Sequence, residues 1–217
     1  MRAPFAQPPP EAAIRLFGDR TAEASRFVSL LAERGVQRGL IGPREVPRLW
    51  DRHVLNCAVL APLVPVPCEL IDIGSGAGLP GIILAMLLPE ARVVLLEPML
   101  RRTRFLSECV AELGLANVTV LRGRAEDMTG ELRGDVVTAR AVAPLPKLAE
   151  LACGVARPGG LVLALKGRDA RAELSTAQGT LRRLGARSAE VLTVGHGIVE
   201  PPATVVRFVA GGMRAAR

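Results

Sequence analysis

The chain has 217 residues, of which 49% are hydrophobic and 23% charged, a length and composition typical of one large globular domain with a buried core. It lacks an apolar run of the roughly 20 residues needed to cross a bilayer, and its Pro-rich start does not resemble a signal peptide, so we expect a cytoplasmic protein without membrane contact. Four isolated cysteines and two histidines predict neither disulfides nor a metal site, whereas the net charge of +7, mostly from 26 arginines, favours phosphate binding.

Residues 1–66 are predicted to form a helical cap. Residues 21–34 place four apolar side chains on one helical face, and Gly35 is expected to end this helix because glycine is common just after helices. A second helical repeat follows, formed by Leu49, His53, Val54, Cys57 and Leu60. Prolines at positions 62, 65 and 67 end it and place the boundary with the rest of the chain near residue 66.

Residues 67–217 are predicted to form an α/β core, because short apolar runs alternate with amphipathic stretches in the manner of parallel strands joined by helices. The predicted strands cover residues 69–73, 92–96, 118–121, 135–139 and 161–165. Pro80 is expected to open one connecting helix, Gly114 to close the next, and residues 158–160 to turn the chain into the fifth strand. Residues 189–193 and 204–209 are expected to pair as an antiparallel edge. The result is a Rossmann-like, doubly wound and mostly parallel sheet.

A glycine loop follows the first predicted strand, where Asp72-Ile-Gly-Ser-Gly-Ala-Gly-Leu-Pro-Gly81 leads from strand to helix. Glycines there let the backbone approach a ligand without an intervening side chain. The spacing Gly76-x-Gly78-x-x-Gly81 also fits the dinucleotide fingerprint. A carboxylate at the end of the strand disfavours a pyrophosphate but favours a ligand that carries an ammonium and a sulfonium. Asp72 therefore favours S-adenosylmethionine.

Glu97 ends the second predicted strand. In folds of this kind a carboxylate at that place accepts hydrogen bonds from the two ribose hydroxyls of a bound nucleoside. Taken alone, Glu97 fits equally well as an acid at a helix N-terminus. Its distance along the chain from the glycine loop favours the ligand-binding role.

Further candidates lie where the later strands end. Residues 123–127, which include Arg124, Ala125 and Glu126, form either an adenine contact or a capped, solvated turn. Arg140 leaves the buried fourth strand, where an arginine is costly unless it meets an anion such as a ligand carboxylate or an RNA phosphate. Lys166 occupies the equivalent place after the fifth strand. Open α/β folds bind ligands at this edge, so we expect these side chains to line one site.

As a set, these motifs resemble the RsmG (GidB) family of 16S rRNA guanine N7-methyltransferases over about residues 44–208. The resemblance rests on residues 72–81, 120–126 (Val-Leu-Arg-Gly-Arg-Ala-Glu), 138–147 (Thr-Ala-Arg-Ala-Val-Ala-Pro-Leu-Pro-Lys) and 164–167 (Ala-Leu-Lys-Gly). It implies a class I methyltransferase fold with S-adenosylmethionine as methyl donor. It also implies the guanine at position 527, in the decoding-region loop of 16S rRNA, as the target.

The same resemblance implies roles for individual residues. The cofactor contacts it implies are Gly74, Leu79, Ala125, Glu126 and Arg140, with Glu97 as the ribose acid, and the loop itself adds Asp72, Gly76 and Gly78. Arg52, Arg124 and Lys166 are expected near the RNA, and Arg140, Lys166 and His53 are the catalytic candidates. The cap departs from the family pattern at residues 39–42 and at Asn56-Cys57, so its detailed role is not implied.

The chemistry of guanine N7 limits what these residues have to do. N7 already carries a lone pair, so no base has to remove a proton, and positioning of the two reactants is expected to supply much of the rate. His53 is then expected to hydrogen-bond near the pocket. Because the product guanine is positively charged, Arg140 and Lys166 are expected to face a phosphate or the cofactor carboxylate and not the base.

Three alternatives stay open from the sequence alone. A nicotinamide oxidoreductase is favoured only by the glycine spacing. A non-catalytic RNA- or ribosome-binding module would not need the glycine loop and both acids. A methyltransferase that acts on another RNA or a small molecule is opposed only by the arginine-rich composition. We expect a monomer whose partner is 16S rRNA or the small ribosomal subunit.

Overall fold

The computed structural model describes residues 7–211, and a seven-stranded sheet forms its centre. The strands are β1 (Cys68–Ile73), β2 (Ala91–Glu97), β3 (Val118–Arg122), β4 (Gly134–Arg140), β5 (Ala156–Lys166), β6 (Arg187–Val194) and β7 (Ala203–Val209). Their order across the sheet is β3-β2-β1-β4-β5-β7-β6. The first five pair in parallel, whereas β7 is antiparallel to both β5 and β6. This confirms the predicted strands and the doubly wound α/β fold.

The helices lie on both faces of this sheet. They are α1 (Glu11–Phe17), α2 (Thr21–Leu30), α3 (Asn56–Ala58), α4 (Gly81–Leu87), α5 (Leu100–Glu112), α6 (Leu145–Val155) and α7 (Ala170–Arg183). Successive residues of β1 join different cores: Leu70 packs into one apolar cluster and Ile71 into the other, so both faces are covered. As predicted, α4 starts directly after Pro80, and Gly114 follows α5 with a left-handed φ of +62°.

Two local predictions need correction. The first cap helix does not end at Gly35, because α2 continues through a π-helical segment, Leu31–Gly35, to residue 37. Gly35 is buried, and the left-handed residue that closes the helix is Gly39, with φ +64°. Residues 158–160 lie inside β5, which begins at Ala156 and pairs there with Gly134 across a register shift. The predicted turn is therefore a bulge within the strand.

The helical cap packs directly on the sheet. Beyond α2 it contains the 3-10 segments Pro43–Arg48 and Ala61–Leu63 and a second π-helical segment, Leu49–Leu55. Its apolar side chains, including Phe27 and Trp50, belong to the same buried cluster as Leu70 of β1. The boundary at residue 66 stays a prediction, and residues 1–6 and 212–217 of the two predicted segments lie outside the described residues. Between residues 7 and 211, none of the helices is long and apolar enough to cross a membrane.

Ion pairs add to this contact on the face of α5. Arg34 lies within ion-pair distance of both Glu108 and Glu112. Arg26 reaches Glu112 at 2.6 Å, and Arg38 reaches Glu108 at 2.7 Å. These side chains are partly exposed, so screening by solvent keeps the contribution of each pair to stability small. The cap thus contacts α5, the helix that begins three residues after Glu97.

Candidate active site

Two adjoining cavities open at the edge of the sheet where β1, β2 and β4 end. The larger, of about 400 Å³, lies between the loops after β1, β2, β3 and β4, and its wall includes Glu97 and Ala125. The smaller, of about 220 Å³, lies between the glycine loop and the cap, and its wall includes His53 and Arg140. We call them the β2 cavity and the cap cavity. Gly74, Arg102 and Ala141 line both, so the two cavities adjoin, and together we call them the groove.

The glycine loop forms the ridge between the cavities. Its turn is fixed by the N–H groups of Gly74 and Ser75, which donate to the Leu96 carbonyl of β2 at 2.8 and 3.2 Å. Gly74, Gly76 and Gly78 have φ values of +63°, +57° and +91°, which residues with a side chain rarely adopt. Gly74 lines both cavities, Gly76 and Leu79 line the cap cavity, and the buried Gly78 lines neither of the two.

Asp72 supports this loop from below. It is fully buried, and its carboxylate accepts hydrogen bonds from the Gly81 N–H at 3.2 Å and the Thr138 hydroxyl at 3.0 Å. Burial raises its pKa to about 7. The side chain lines neither of the two cavities. The structure therefore places Asp72 where it ties the loop to β4, one layer away from the position at which its charge would meet a ligand.

Glu97 forms part of the floor of the β2 cavity. Its Oε2 accepts from the Gly76 N–H and its Oε1 from the Met99 N–H, both at 3.0 Å. A carboxylate has about four acceptor sites, so these two hydrogen bonds leave others for further donors, although Arg102 also lies 3.5 Å from Oε2. Glu97 ends β2, three residues before α5 begins, and it lines the cavity.

Arg102 is a site residue that the sequence reasoning missed. It lies on the first turns of α5, its Nη1 is 3.5 Å from Glu97 Oε2, and its side chain lines both cavities. Its Nε is buried and has no hydrogen-bond partner among the described residues. The only sequence signal for Arg102 is its position five residues after Glu97, within the basic pair Arg101-Arg102.

The turn after β3 closes the far wall of the β2 cavity. Arg124, Ala125 and Glu126 all line it, with Ala125 buried and the other two exposed. Glu126 pairs with Lys147 at 3.4 Å, which also lines the cavity. A hydrogen bond to its own backbone, followed by Lys147, lowers the pKa of Glu126. The turn is thus both solvated and part of the cavity wall.

Arg140 reaches from the end of β4 into the cap cavity and is held there by the cap. Its Nη2 is 2.6 Å from His53 Nδ1, and its Nη1 donates to the His53 carbonyl at 3.5 Å and to Cys57 Sγ at 3.3 Å. Among residues 7–211, all the acceptors that Arg140 contacts are uncharged groups. Its positive charge is therefore left to attract an anion from outside the protein.

Two of the sequence-predicted residues lie away from the groove. Lys166 donates from Nζ to the Ala143 carbonyl at 2.8 Å and to Glu173 at 2.7 Å, and only 10% of its side chain is exposed. It lines neither of the two cavities, because these contacts hold it against the loop after β4. Arg52 is exposed on the cap and contacts Glu45 at 3.2 and 3.3 Å, outside both cavities.

Ala141 marks a strained point at the junction of the cavities. It follows Arg140 directly and has φ +54°, a left-handed conformation that costs a residue with a side chain about 1 kcal/mol or more. The loop it starts is held at Ala143 by Lys166 and at Leu145 by Glu173, whose Oε2 accepts the Leu145 N–H at 3.0 Å. The neighbouring contacts thus keep this strained backbone in place.

Metal ligation is a separate question for this groove. Within the described part of the chain, no group of three or more histidine, cysteine, aspartate or glutamate side chains is arranged to hold a metal ion. The four cysteines are free and buried.

The comparisons with known proteins identify the family. A family model described as GidB, rRNA small subunit methyltransferase G, matches residues 20–199. The chain belongs to this family. A relative from Thermobifida fusca is 57% identical over 92% of this chain and 84% of its own, and one from Streptomyces avermitilis is 57% identical over 94% and 86%. Both are named ribosomal RNA small subunit methyltransferase G.

Solved structures agree with the fold of the GidB family member described above. An S-adenosylmethionine-dependent O-methyltransferase from Thermotoga maritima has a TM-score of 0.56 at 16% identity, covering 75% of this chain and 66% of that one. TYW2 of P. horikoshii, in complex with MeSAdo, has a TM-score of 0.59 at 15% identity, covering 73% and 62%. At such low identity these likenesses show the fold alone, which is that of class I methyltransferases.

Membership of the GidB family confirms the resemblance found in the sequence. The protein is an S-adenosylmethionine-dependent methyltransferase of small-subunit rRNA. The dinucleotide-like spacing from Gly76 to Gly81 therefore belongs to a methyltransferase loop and not to a nicotinamide site.

Proposed function

We propose that the protein transfers the methyl group of S-adenosylmethionine to N7 of the guanine at position 527 of 16S rRNA. The family supports the rRNA substrate, and the chosen atom is supported by the chemistry of the groove. Methylation of N7 requires no proton removal, and the cap cavity presents a charged arginine and a hydrogen-bonded histidine in place of a free base. The observation that carries this function is the pair of adjoining cavities, with an acid in the wall of one and an uncompensated arginine in the wall of the other.

The residues present fit the cofactor. A Cβ at Gly74 would stand 3.0 Å from Val142, and the bare backbone of Gly74 lines both cavities. Glu97 offers free acceptor sites to two ribose hydroxyls, and Ala125 and Glu126 line the same cavity on the side where an adenine would lie. Gly76 and Leu79 face the cap cavity. Arg140 offers its unpaired charge to the carboxylate of the methionine part.

The chain contributes positioning and charge to the reaction. When bound, S-adenosylmethionine supplies an electrophilic methyl group on a positively charged sulfur. Glu97 and Arg140 fix the two ends of the groove, and the rigid glycine loop between them keeps water-exposed side chains out of its centre. Such alignment accounts for much of the rate of a displacement reaction, because no residue has to form a covalent bond.

The roles of three predicted residues change with the structure. We propose that Asp72 supports the loop by hydrogen bonding, that Gly78 allows the loop to turn, and that Lys166 positions the loop after β4. Arg124 and Arg52 stay candidates for RNA phosphate contacts. Both are exposed, Arg124 at the β2 cavity and Arg52 on the cap. His53 and Arg140 act at the cofactor end.

We further propose that the protein works in the cytoplasm, where its RNA substrate is made, and that one copy of the chain suffices. We also propose that residues 1–66 are a cap segment beside the core of residues 67–217. The described part of this segment supplies His53 to the wall of the cap cavity.

In vitro methylation with labelled S-adenosylmethionine tests the proposed function. The substrates are naked 16S rRNA and small subunits, both from cells that lack this gene, followed by mass-spectrometric mapping of the methylated nucleoside. We expect one 7-methylguanine, in the fragment that contains position 527. A label on a different atom or fragment, or no label in either substrate, would overturn the proposal. The two substrates also show which assembly state the enzyme uses.

A further inference from the structure

A chain of three polar side chains connects the surface of the cap with the cofactor end of the groove. Glu45 lies in the 3-10 segment Pro43–Arg48, His53 in the following π-helical segment, and Arg140 at the end of β4. Glu45 Oε2 is 2.9 Å from His53 Nε2, and His53 Nδ1 is 2.6 Å from Arg140 Nη2. The two ring nitrogens of one histidine therefore have different partners.

These distances fix the protonation pattern of the ring. A guanidinium has donors but no acceptor, so His53 Nδ1 must accept the hydrogen bond from Arg140. A neutral imidazole that accepts at Nδ1 carries its proton at Nε2, where it faces the Glu45 carboxylate. Burial and the charge of Arg140 lower the pKa of His53, which keeps the ring neutral. The hydrogen bond to His53 in turn lowers the pKa of Glu45.

The orientation of the hydrogen bonds from Arg140 to His53 and from His53 to Glu45 determines what these side chains can do. Without an anchor at Nε2, a neutral histidine can carry its proton on either nitrogen, and the Nδ1–H form would present a donor to a donor. Glu45 stabilises the one form that accepts from Arg140, and its own carboxylate is held by Arg52 of the cap at 3.2 and 3.3 Å. Only 12% of the His53 side chain is exposed, so the ring has little room to turn away.

We propose that Glu45 is a positioning residue that acts through neutral His53 to hold the Arg140 guanidinium in place for the cofactor carboxylate. Glu45 itself lines neither cavity. The proposal rests on the proposed role of Arg140 at the cofactor end. It assigns a function to the segment before the π-helix, which the sequence pattern did not single out.

Nuclear magnetic resonance tests the first step without any cofactor. The chain has two histidines, His53 and His196, so a His196→Gln variant leaves a single imidazole to observe. We expect long-range proton–nitrogen spectra of the ring to show the Nε2–H form at neutral pH. In Glu45→Ala we expect a mixture of both neutral forms. A pure Nδ1–H form in the parent protein would overturn the proposal.

Calorimetric titration with S-adenosylhomocysteine tests the second step in the absence of RNA. Loss of a hydrogen bond that positions a charged group corresponds to about a tenfold change in Kd, so we expect Glu45→Ala to bind about tenfold more weakly. Glu45→Gln keeps an acceptor for the Nε2 proton and should stay within about threefold of the parent. Glu23→Gln, a cap variant whose carboxylate pairs with Arg20 at a similar exposure, is the matched control and should bind normally.

A double-mutant cycle separates positioning from general damage to the cap. Glu45 acts only through Arg140, so adding Glu45→Ala to Arg140→Ala should leave the Kd unchanged. A further weakening in that background, or normal binding by Glu45→Ala alone, would contradict the proposal. If the parent protein fails to bind S-adenosylhomocysteine, the proposed function fails, and the spectra still report on the Glu45–His53 contact.

Discussion

The two cavities differ in the charge of their walls and in how those charges are held. In the β2 cavity the carboxylate of Glu97 is held by two backbone N–H groups and one guanidinium. In the cap cavity the guanidinium of Arg140 is held by a ring nitrogen, a carbonyl and a thiol. The acid keeps acceptor sites for hydroxyl donors, and the arginine keeps its charge for an anion. We propose that these two charges set the direction in which a ligand with a sugar and a carboxylate lies in the groove.

Replacing Glu97 is expected to cause the largest loss of cofactor affinity. Glu97→Ala deletes the acceptor for the ribose hydroxyls and also for the Gly76 and Met99 N–H groups. Two hydrogen bonds to a charged group are worth about 3 kcal/mol or more, so S-adenosylhomocysteine should bind at least about a hundredfold more weakly in calorimetric titration. Glu90→Ala, an exposed acid just before β2, is the control. Affinity within threefold of the parent would remove Glu97 from the site.

Lys166 can be compared with Arg140, because it is a cation near the groove whose charge is already paired with Glu173. Lys166→Met removes the contacts to the Ala143 carbonyl and Glu173 and frees the loop that starts at the strained Ala141. We expect a lower melting temperature and a loss of cofactor affinity of about threefold, measured by thermal unfolding and titration. A hundredfold loss of turnover with unchanged affinity would instead return Lys166 to the catalytic residues.

Asp72→Asn is the variant with the smallest expected effect on affinity. Asp72→Asn keeps an acceptor for the Gly81 N–H and a group that bonds to Thr138, so titration should give a Kd within about threefold of the parent. Asp72→Ala leaves the Gly81 N–H unpaired and should bind about tenfold more weakly. Equal losses in the two variants would show that the charge itself meets the ligand.

The raised pKa of Asp72 also predicts a pH dependence of stability that Asp72→Asn should lack. The pKa of Asp72 rises from 3.8 to about 7 on folding, so between these values the folded state holds more protons than the unfolded state. The free energy of unfolding of the parent should therefore fall as the pH rises from about 4 to about 7, by about 1 to 4 kcal/mol relative to Asp72→Asn. Urea unfolding of both proteins across this range measures the difference. Parallel pH profiles would contradict the buried position of Asp72.

The sequence predicted the parts of the molecule that local pattern controls. The strands of the sheet follow from short apolar runs, and the glycine loop follows from residues that alone tolerate its backbone. Glu97 and Arg140 were predicted as candidates because each ends a strand at the edge where ligands bind, and both line a cavity there.

The residues that were missed depend on contacts between distant segments. Arg102 becomes a site residue only because α5 starts beside the cavity, and Glu45 only because the cap folds over β4. The contact of Lys166 with Glu173 could not be predicted, because Glu173 comes from the following helix. The end of the first cap helix was wrong because burial of Gly35 outweighs its low helix propensity.

A crystal structure of the protein with S-adenosylhomocysteine tests the direction of the groove most directly. We expect the ribose hydroxyls at Glu97, the adenine beside Ala125 in the β2 cavity, and the carboxylate at Arg140 in the cap cavity. A nucleoside bound in the opposite direction, or outside the two cavities, would contradict the assignment of the two charges.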